Sequence, residues 1–149
     1  MSTKFATGHV GLNVTDLDRS LPFYSRVFGF DTLTEGTDAD RRWAFLGQDG
    51  DLVLTLWQQS DASFSSAAAG LHHLSFQVDS LEDVTATEAV LKELGADFAH
   101  DGVVAHAEGA GSGGIFFADP DGVRLEIFAG AGAEGAPAPS GEAPTCGFF

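Results

Sequence analysis

Two stretches of this chain say nearly the same thing. Gly8-His9-Val10-Gly11-Leu12-Asn13-Val14-Thr15-Asp16-Leu17 near the N-terminus returns mid-chain as Gly70-Leu71-His72-His73-Leu74-Ser75-Phe76-Gln77-Val78-Asp79-Ser80-Leu81. In both, a His opens a short alternating run that ends in Val, a small polar turn and Leu. His9 stands eight residues before Leu17, and His73 eight before Leu81. The repeat extends to the unit ends, where Phe45-Leu46-Gly47-Gln48-Asp49-Gly50 parallels Phe117-Ala118-Asp119-Pro120-Asp121-Gly122. Self-similarity of this kind predicts two copies of one supersecondary unit.

Each copy reads β-α-β-β-β. Val10, Leu12 and Val14 alternate with polar residues, the period of a half-buried strand. Asp16 or Thr15 then caps a helix over residues 17–28, with Leu17, Leu21, Tyr24 and Phe28 as its apolar stripe and Gly29 as its C-cap. Pro22 either kinks that helix or starts its regular part. Strands follow at about 30–36, 41–47 and 51–58, the last after an Asp49-Gly50 turn. Residues 59–70, small and polar, read as a linker. The second copy has a strand at 71–78 and a helix at 80–94 with Ser80 and Asp83 in capping-box spacing. Strands near 97–100, 114–118 and 123–129 complete it. The expectation is one α+β domain over 1–149. Tandem βαβββ modules at 8–58 and 71–129 form a curved mixed sheet around a pocket, with helices outside. Residues 130–149, rich in Ala, Gly and Pro, read by default as a flexible tail. Their apolar end, Cys146-Gly147-Phe148-Phe149, is unusual for a free terminus and leaves two readings open, a free end or one docked on the body or on a partner subunit.

The core is within reach of this composition, with thirteen Phe among 149 residues. A formal charge of −15, from 22 acidic against seven basic side chains, repels phosphate backbones and anionic lipid. Nucleic acid and membrane surfaces are therefore poor partners. The single cysteine, Cys146, excludes an internal disulfide and a multi-cysteine zinc site. Without a signal-peptide pattern or a long apolar run, the expected setting is the cytoplasm.

Strand parity turns the repeat into a site. If Val10, Leu12 and Val14 face the helix, His9, Gly11 and Asn13 face the other way. The same rule puts His73, Ser75 and Gln77 opposite Leu74, Phe76 and Val78, and puts Arg124, Glu126 and Phe128 opposite Val123, Leu125 and Ile127. His73 rather than His72 thus joins the inner face. Two imidazoles and a carboxylate on rigid strands form a metal set with open positions, suited to Fe, Mn, Ni, Co or Zn. His9, His73 and Glu126 are its expected ligands. Counting from the Asp-Gly turns, the first-half counterpart of Glu126 is Leu54. Asn13, Leu54, Leu56, Ser75, Gln77, Phe117 and Phe128 are expected to line a partly apolar pocket for a small molecule, with Leu52 and Trp43 or Trp57 as further walls. His100, His106 and Arg124 are candidates for acid–base or anion-holding roles.

At these residues the chain resembles the vicinal oxygen chelate superfamily, which holds glyoxalase I, extradiol dioxygenases, fosfomycin-resistance transferases and bleomycin-resistance proteins. The marks are His9, Phe23-Tyr24, Phe28-Gly29-Phe30, His73 and the run from Phe117 to Glu126. The resemblance spans about 8–129 and implies that His9, His73 and Glu126 are the metal ligands and that the chain pairs as a homodimer. Leu54 takes the place where glyoxalase I has an additional Glu serving as its base. Phe117 takes the place of a Tyr in the extradiol signature. The implied activity is a metal-dependent enzyme, of dioxygenase, isomerase or lyase type, acting on a substrate that chelates through adjacent oxygens. The alternative is a non-catalytic protein that binds an antibiotic or metabolite.

Overall fold

The alternating run after His9 folds as β1 (Val10–Val14), followed by α1 (Leu17–Phe28), β2 (Asp31–Asp38), β3 (Arg41–Gln48) and β4 (Asp51–Gln58). In the second half the order is β5 (Leu74–Val78), α2 (Leu81–Glu93), β6 (Val104–Ala105), β7 (Gly113–Ala118) and β8 (Arg124–Ala129). The computed structural model describes every residue from Met1 to Phe149, in two compact units, Met1–Ser63 and Phe64–Phe149. The division falls inside the small, polar segment 59–70. The fold is α+β. As expected, it is built from two βαβββ modules; each contributes an open four-stranded mixed sheet, ordered β1-β4-β3-β2 and β5-β8-β7-β6. In each, the first strand runs parallel to the last and the other pairs are antiparallel.

In unit 1 the caps explain where the helix begins and ends. The Asp16 carboxylate accepts from the Asp18 amide at 2.9 Å, and Gly29, at φ 69°, donates its N–H to the Ser25 carbonyl. Left-handed backbone at that position favours glycine. The helix runs through Pro22, and its buried side is Leu17, Ser20, Phe23, Tyr24 and Val27. Leu21 and Phe28, expected in the stripe, lie at its margin and are only half-buried. The Leu17 amide donates to Gln58 Oε1 at 2.8 Å, tying the start of the helix to the end of β4.

One register shift in this unit changes which side chains share a face. The Asp49-Gly50 turn has two positive φ angles, 53° and 84°, as a two-residue hairpin loop requires. β3 and β4 pair as Gln48↔Asp51 and Gly47↔Leu52, then as Leu46↔Leu54, leaving Val53 as the extra residue of a bulge. In unit 2 the corresponding connection is longer, residues 119–123. The Asp119 carboxylate accepts from the Asp121 and Val123 amides at 2.8 and 2.9 Å, and the ladder to β7 then runs without a shift.

Unit 2 departs from the expected boundaries in two places. β5 starts at Leu74, so Leu71, His72 and His73 lie before the strand. The strand expected near 97–100 is only a bridge, Phe98↔Phe117, flanked by hydrogen bonds from Ala99 to Phe116 and from Ala118 to Asp97. The regular edge strand is β6, beyond a turn at Gly102 (φ 69°). The edge of β7 is thus covered in two short pieces. β6 is itself an edge of two residues whose outer backbone groups need partners.

Those partners come from the C-terminal segment, which is ordered against unit 2 and not the flexible tail expected. Ala105 donates to the Pro137 carbonyl at 2.8 Å, Glu108 to Gly141 at 2.8 Å and Thr145 to His106 at 2.8 Å. The Thr145 hydroxyl, fully buried, donates to the Ala105 carbonyl at 2.7 Å. A short 3-10 turn, Thr145–Gly147, follows. Neither helix is long and apolar enough to cross a membrane.

Candidate metal and ligand site

Glu126 is the third residue of β8 and only 3% exposed. A buried carboxylate needs partners, and two histidines approach this one, with a third behind them. In the ladders Glu126 lies opposite Ser75 on β5 and Phe116 on β7, and Phe128 lies opposite Gln77. Ser75, Gln77, Phe116, Arg124, Glu126 and Phe128 therefore share one face. Phe117, expected to line the pocket, pairs with Leu125 and so alternates to the reverse face, while also bordering a cleft beside Arg124 and Phe149. Sequence parity within β7 alone did not show this; the register with β8 does.

His73, immediately before β5, brings Nε2 to 3.7 Å from Glu126 Oε1. Its other nitrogen, Nδ1, is 2.8 Å from Nδ1 of His72. That contact commits Nδ1, and Nε2 is left to face the carboxylate. His72, assigned to the apolar set by its parity, is the residue that orients His73. The signal in the sequence was the His-His pair itself.

His106 approaches from the loop after β6. Its Nε2 donates to Glu126 Oε2 at 2.5 Å, and its Nδ1 is 2.8 Å from Ser112 Oγ. The loop is closed by the His106 amide on the Ser112 carbonyl and by the Thr145 amide on the His106 carbonyl. Of the three acid–base candidates, His106 touches Glu126. Arg124 shares its face, with Cζ 5.4 Å from the ring of Phe149. His100 packs edge-on against Phe116 at 5.6 Å, and its Nε2 is buried without a hydrogen-bond partner.

The His73 imidazole has its pKa pushed below the usual 6.5, chiefly by burial, with the neighbouring Glu126 opposing and His72 and Arg124 adding to the fall. It is thus neutral at pH 7, the form that donates a lone pair to a metal. No three His, Cys, Asp or Glu side chains make a ready metal cage. The His73–Glu126 pair nonetheless fits a divalent ion. Its 3.7 Å gap is too long for a hydrogen bond. It is close to the roughly 3.4 Å between two ligands of a tetrahedral ion with bonds of about 2.1 Å. Oε1 stands apart from His106, which holds the other oxygen.

In unit 1, His9 directly precedes β1 and is exposed, as His73 directly precedes β5. Asn13 Oδ1 accepts from the Gln59 amide at 3.0 Å. The bulge at Val53 corrects the expected counterpart of Glu126. Gly11 lies opposite Thr55 as Ser75 lies opposite Glu126, so Thr55, and not Leu54, holds the matching position. Leu54 and Leu56 instead lie opposite Val10 and Leu12, on the apolar face away from Gly11 and Asn13, both fully buried. Leu52 is beyond the bulge. The face of Gly11 and Asn13 carries Thr55, Trp57, Phe45 and Trp43. The three aromatic rings lie 5.2 to 6.3 Å apart, and the Trp57 indole donates to Thr55 Oγ1 at 2.9 Å. Gly36 lies under Trp43, where a Cβ would come within 2.6 Å of the indole. The expectation that Trp43 or Trp57 walls this face thus extends to both, with Phe45 between them.

Comparisons with known proteins identify the family of this fold. The family model of the Glyoxalase/Bleomycin resistance protein/Dioxygenase superfamily matches residues 6–127. A trivalent organoarsenical cleaving enzyme of Bacillus sp. (strain MD1) is 32% identical over 120 residues, 80% of this chain and 70% of that protein. A catechol-2,3-dioxygenase of Bacillus subtilis is 30% identical over 125 residues; the match takes in 82% of this chain but only 40% of the dioxygenase. A probable lactoylglutathione lyase of Vibrio cholerae is 32% identical over 143 residues, covering 85% and 95%. Among solved structures, a glyoxylase/bleomycin resistance protein/dioxygenase domain from Frankia sp. EAN1pec superposes with a TM-score of 0.74 at 28% identity, covering 86% of this chain and 93% of that one. A fosfomycin resistance protein of Listeria monocytogenes, complexed with Mn(II) and sulfate, shares the fold with a TM-score of 0.63 at 23% identity, covering 90% and 98%. With its repeated β-α-β-β-β units and this match over most of its length, the chain belongs to the Glyoxalase/Bleomycin resistance protein/Dioxygenase superfamily.

Proposed function

We propose that this chain is a metal-dependent enzyme of its superfamily, acting on a small substrate that reaches the metal through two adjacent oxygens. His73 and Glu126 hold the divalent ion; His9, expected from the sequence as a further ligand, is the counterpart of His73 in unit 1. One observation carries the reading: His73, with Nδ1 committed to His72, turns a neutral Nε2 toward the buried carboxylate oxygen that His106 leaves free. The bound ion would supply Lewis acidity to a substrate oxygen. His106 holds the second carboxylate oxygen in place, and Arg124, on the same face, offers a cation to an anionic substrate group. Among the relatives are a catechol dioxygenase, an organoarsenical cleaving enzyme and a lactoylglutathione lyase, which supports enzymatic chemistry without choosing the reaction. Neither Leu54 nor Thr55 offers a second carboxylate, so a glyoxalase I type of isomerisation, which uses one as its base, is the least supported.

Metal analysis of protein purified without chelators tests the proposal. Close to one equivalent per chain is expected, falling below about a tenth in His73→Ala and in Glu126→Gln. Unchanged metal in both variants overturns it. The aromatic group of Trp43, Phe45 and Trp57 favours a second reading, a protein that binds an aromatic antibiotic or metabolite without catalysis. Metal-free protein that retains full ligand affinity supports that reading against the first.

A further inference from the structure

The last residue of the chain lies on the face that carries Glu126. The Phe149 ring is 5.5 Å from the His73 ring, 6.4 Å from that of His72 and 5.1 Å from that of Phe116, which it meets nearly edge-on. Arg124 places Cζ 5.4 Å from the same ring, a cation–π arrangement. A cleft of about 230 Å³ opens beside it, lined by Phe98, Phe117, Arg124 and Phe149 among others. Phe148 makes the contrast: the same side chain one residue earlier is 57% exposed. The seat is therefore selective for position, not a general collapse of an apolar end. The segment is brought there by fixed anchors, since Thr145 is locked to Ala105 and His106 by two hydrogen bonds and the 3-10 turn spans the short distance to Phe149.

We propose that this seat is an aromatic subsite which the chain fills with its own C-terminal Phe149, and that a ligand carrying a phenyl-sized ring takes the place of that residue. The seat is built from a cation, an edge-on Phe and two imidazoles, groups that recognise a π-face. Its position beside His73 gives it a role in the metal chemistry proposed above, and that role rests on that proposal. The occupancy itself does not. Because ring and tail compete, ligand affinity is lowered by the fraction of molecules with the tail docked.

The test uses the full-length chain, with catechol as the probe, in excess chelator and again with Mn(II). Phe149→Ala is compared with Phe148→Ala and with Phe149→Leu, folding being checked by circular dichroism. In chelator, Phe149→Ala binds catechol at least about threefold tighter than the parent, Phe149→Leu falls between, and Phe148→Ala is unchanged. Cys146, one residue beyond the Thr145 anchor, reports on the tail: its modification by a thiol reagent quickens when catechol is added to the parent protein. Equal affinities in the parent and Phe149→Ala, with Cys146 reactivity indifferent to catechol, overturn the proposal. If Mn(II) adds nothing while the chelator arm behaves as stated, the subsite stands and the metal reading fails.

Discussion

His106 Nε2 lies 2.5 Å from Glu126 Oε2, on the oxygen that His73 does not face. The carboxylate is therefore divided, one oxygen held by a loop histidine and the other turned toward the proposed metal. A buried carboxylate oxygen that loses its donor bears the desolvation penalty alone. His106→Ala is expected to lower stability by about 1–3 kcal/mol in urea unfolding with chelator present. Ser112→Ala, one step further out, should cost less than about 1.5 kcal/mol. A divalent ion held by His73 and Glu126, as proposed, would stabilise the folded state by mass action and restore part of the loss. An unaltered unfolding midpoint for His106→Ala contradicts this account of Glu126.

The lowered pKa of His73 carries a sign that can be measured in metal-free protein. Well above pH 6.5 the imidazole is neutral both folded and unfolded, and it adds no slope. As the pH falls below 6.5, the unfolded chain takes up this proton first, and stability drops until the lower folded pKa is passed. An NMR titration of the His73 ring should therefore give a midpoint below 6.5. His72→Ala removes one of the smaller lowering influences and should move that midpoint upward. A His73 midpoint at or above 6.5 in the parent would sink the argument that burial governs this group.

Much of this architecture was legible because the chain states it twice. The alternation around Val10–Val14 and Leu74–Val78, the caps at Asp16, Ser80 and Gly29, and the Asp49-Gly50 turn are local signals with local causes. What was not legible depends on pairing. Counting from the Asp49-Gly50 turn points to Leu54. One bulge residue, Val53, moves the count by one and exchanges the two faces of β4. The Ala, Gly and Pro content of the tail signals flexibility, but its order comes from the unpaired edge of β6, which composition cannot reveal. His106 came out of a glycine-rich loop, where only the tertiary fold brings it to Glu126.

The β2–β3 hairpin holds strain that can be removed. Asp38 pairs with Arg41, so Ala39 and Asp40 form a two-residue loop, at φ 45° and 72°. Left-handed backbone costs a residue with a Cβ about 1 kcal/mol, and Asn-Gly is the preferred pair for such a turn. Ala39→Asn with Asp40→Gly should raise stability by roughly 1 kcal/mol, or several degrees in Tm. The gain should leave metal content unchanged, because the turn carries none of the expected ligands His9, His73 and Glu126. A lower Tm would mean that the tight turn is not the conformation in solution.

The register of β4 makes the sharpest mutational contrast. Thr55 stands to Gly11 and His9 as Glu126 stands to Ser75 and His73. Thr55→Glu therefore reproduces in unit 1 the histidine–carboxylate relationship of unit 2. Leu54→Glu puts the same group on the opposite face, against Val10 and the apolar side of the sheet, where nothing pairs with it. Both variants bury a carboxylate and both lose stability in chelator, Leu54→Glu by more than about 3 kcal/mol. Only Thr55→Glu should recover on adding Mn(II) or Zn(II), with metal affinity raised above that of the parent by about tenfold. Thermal unfolding with and without metal, alongside metal analysis, reads both effects. Recovery of Leu54→Glu instead would return the counterpart of Glu126 to Leu54 and overturn the bulge assignment, since the two positions face opposite sides of one strand.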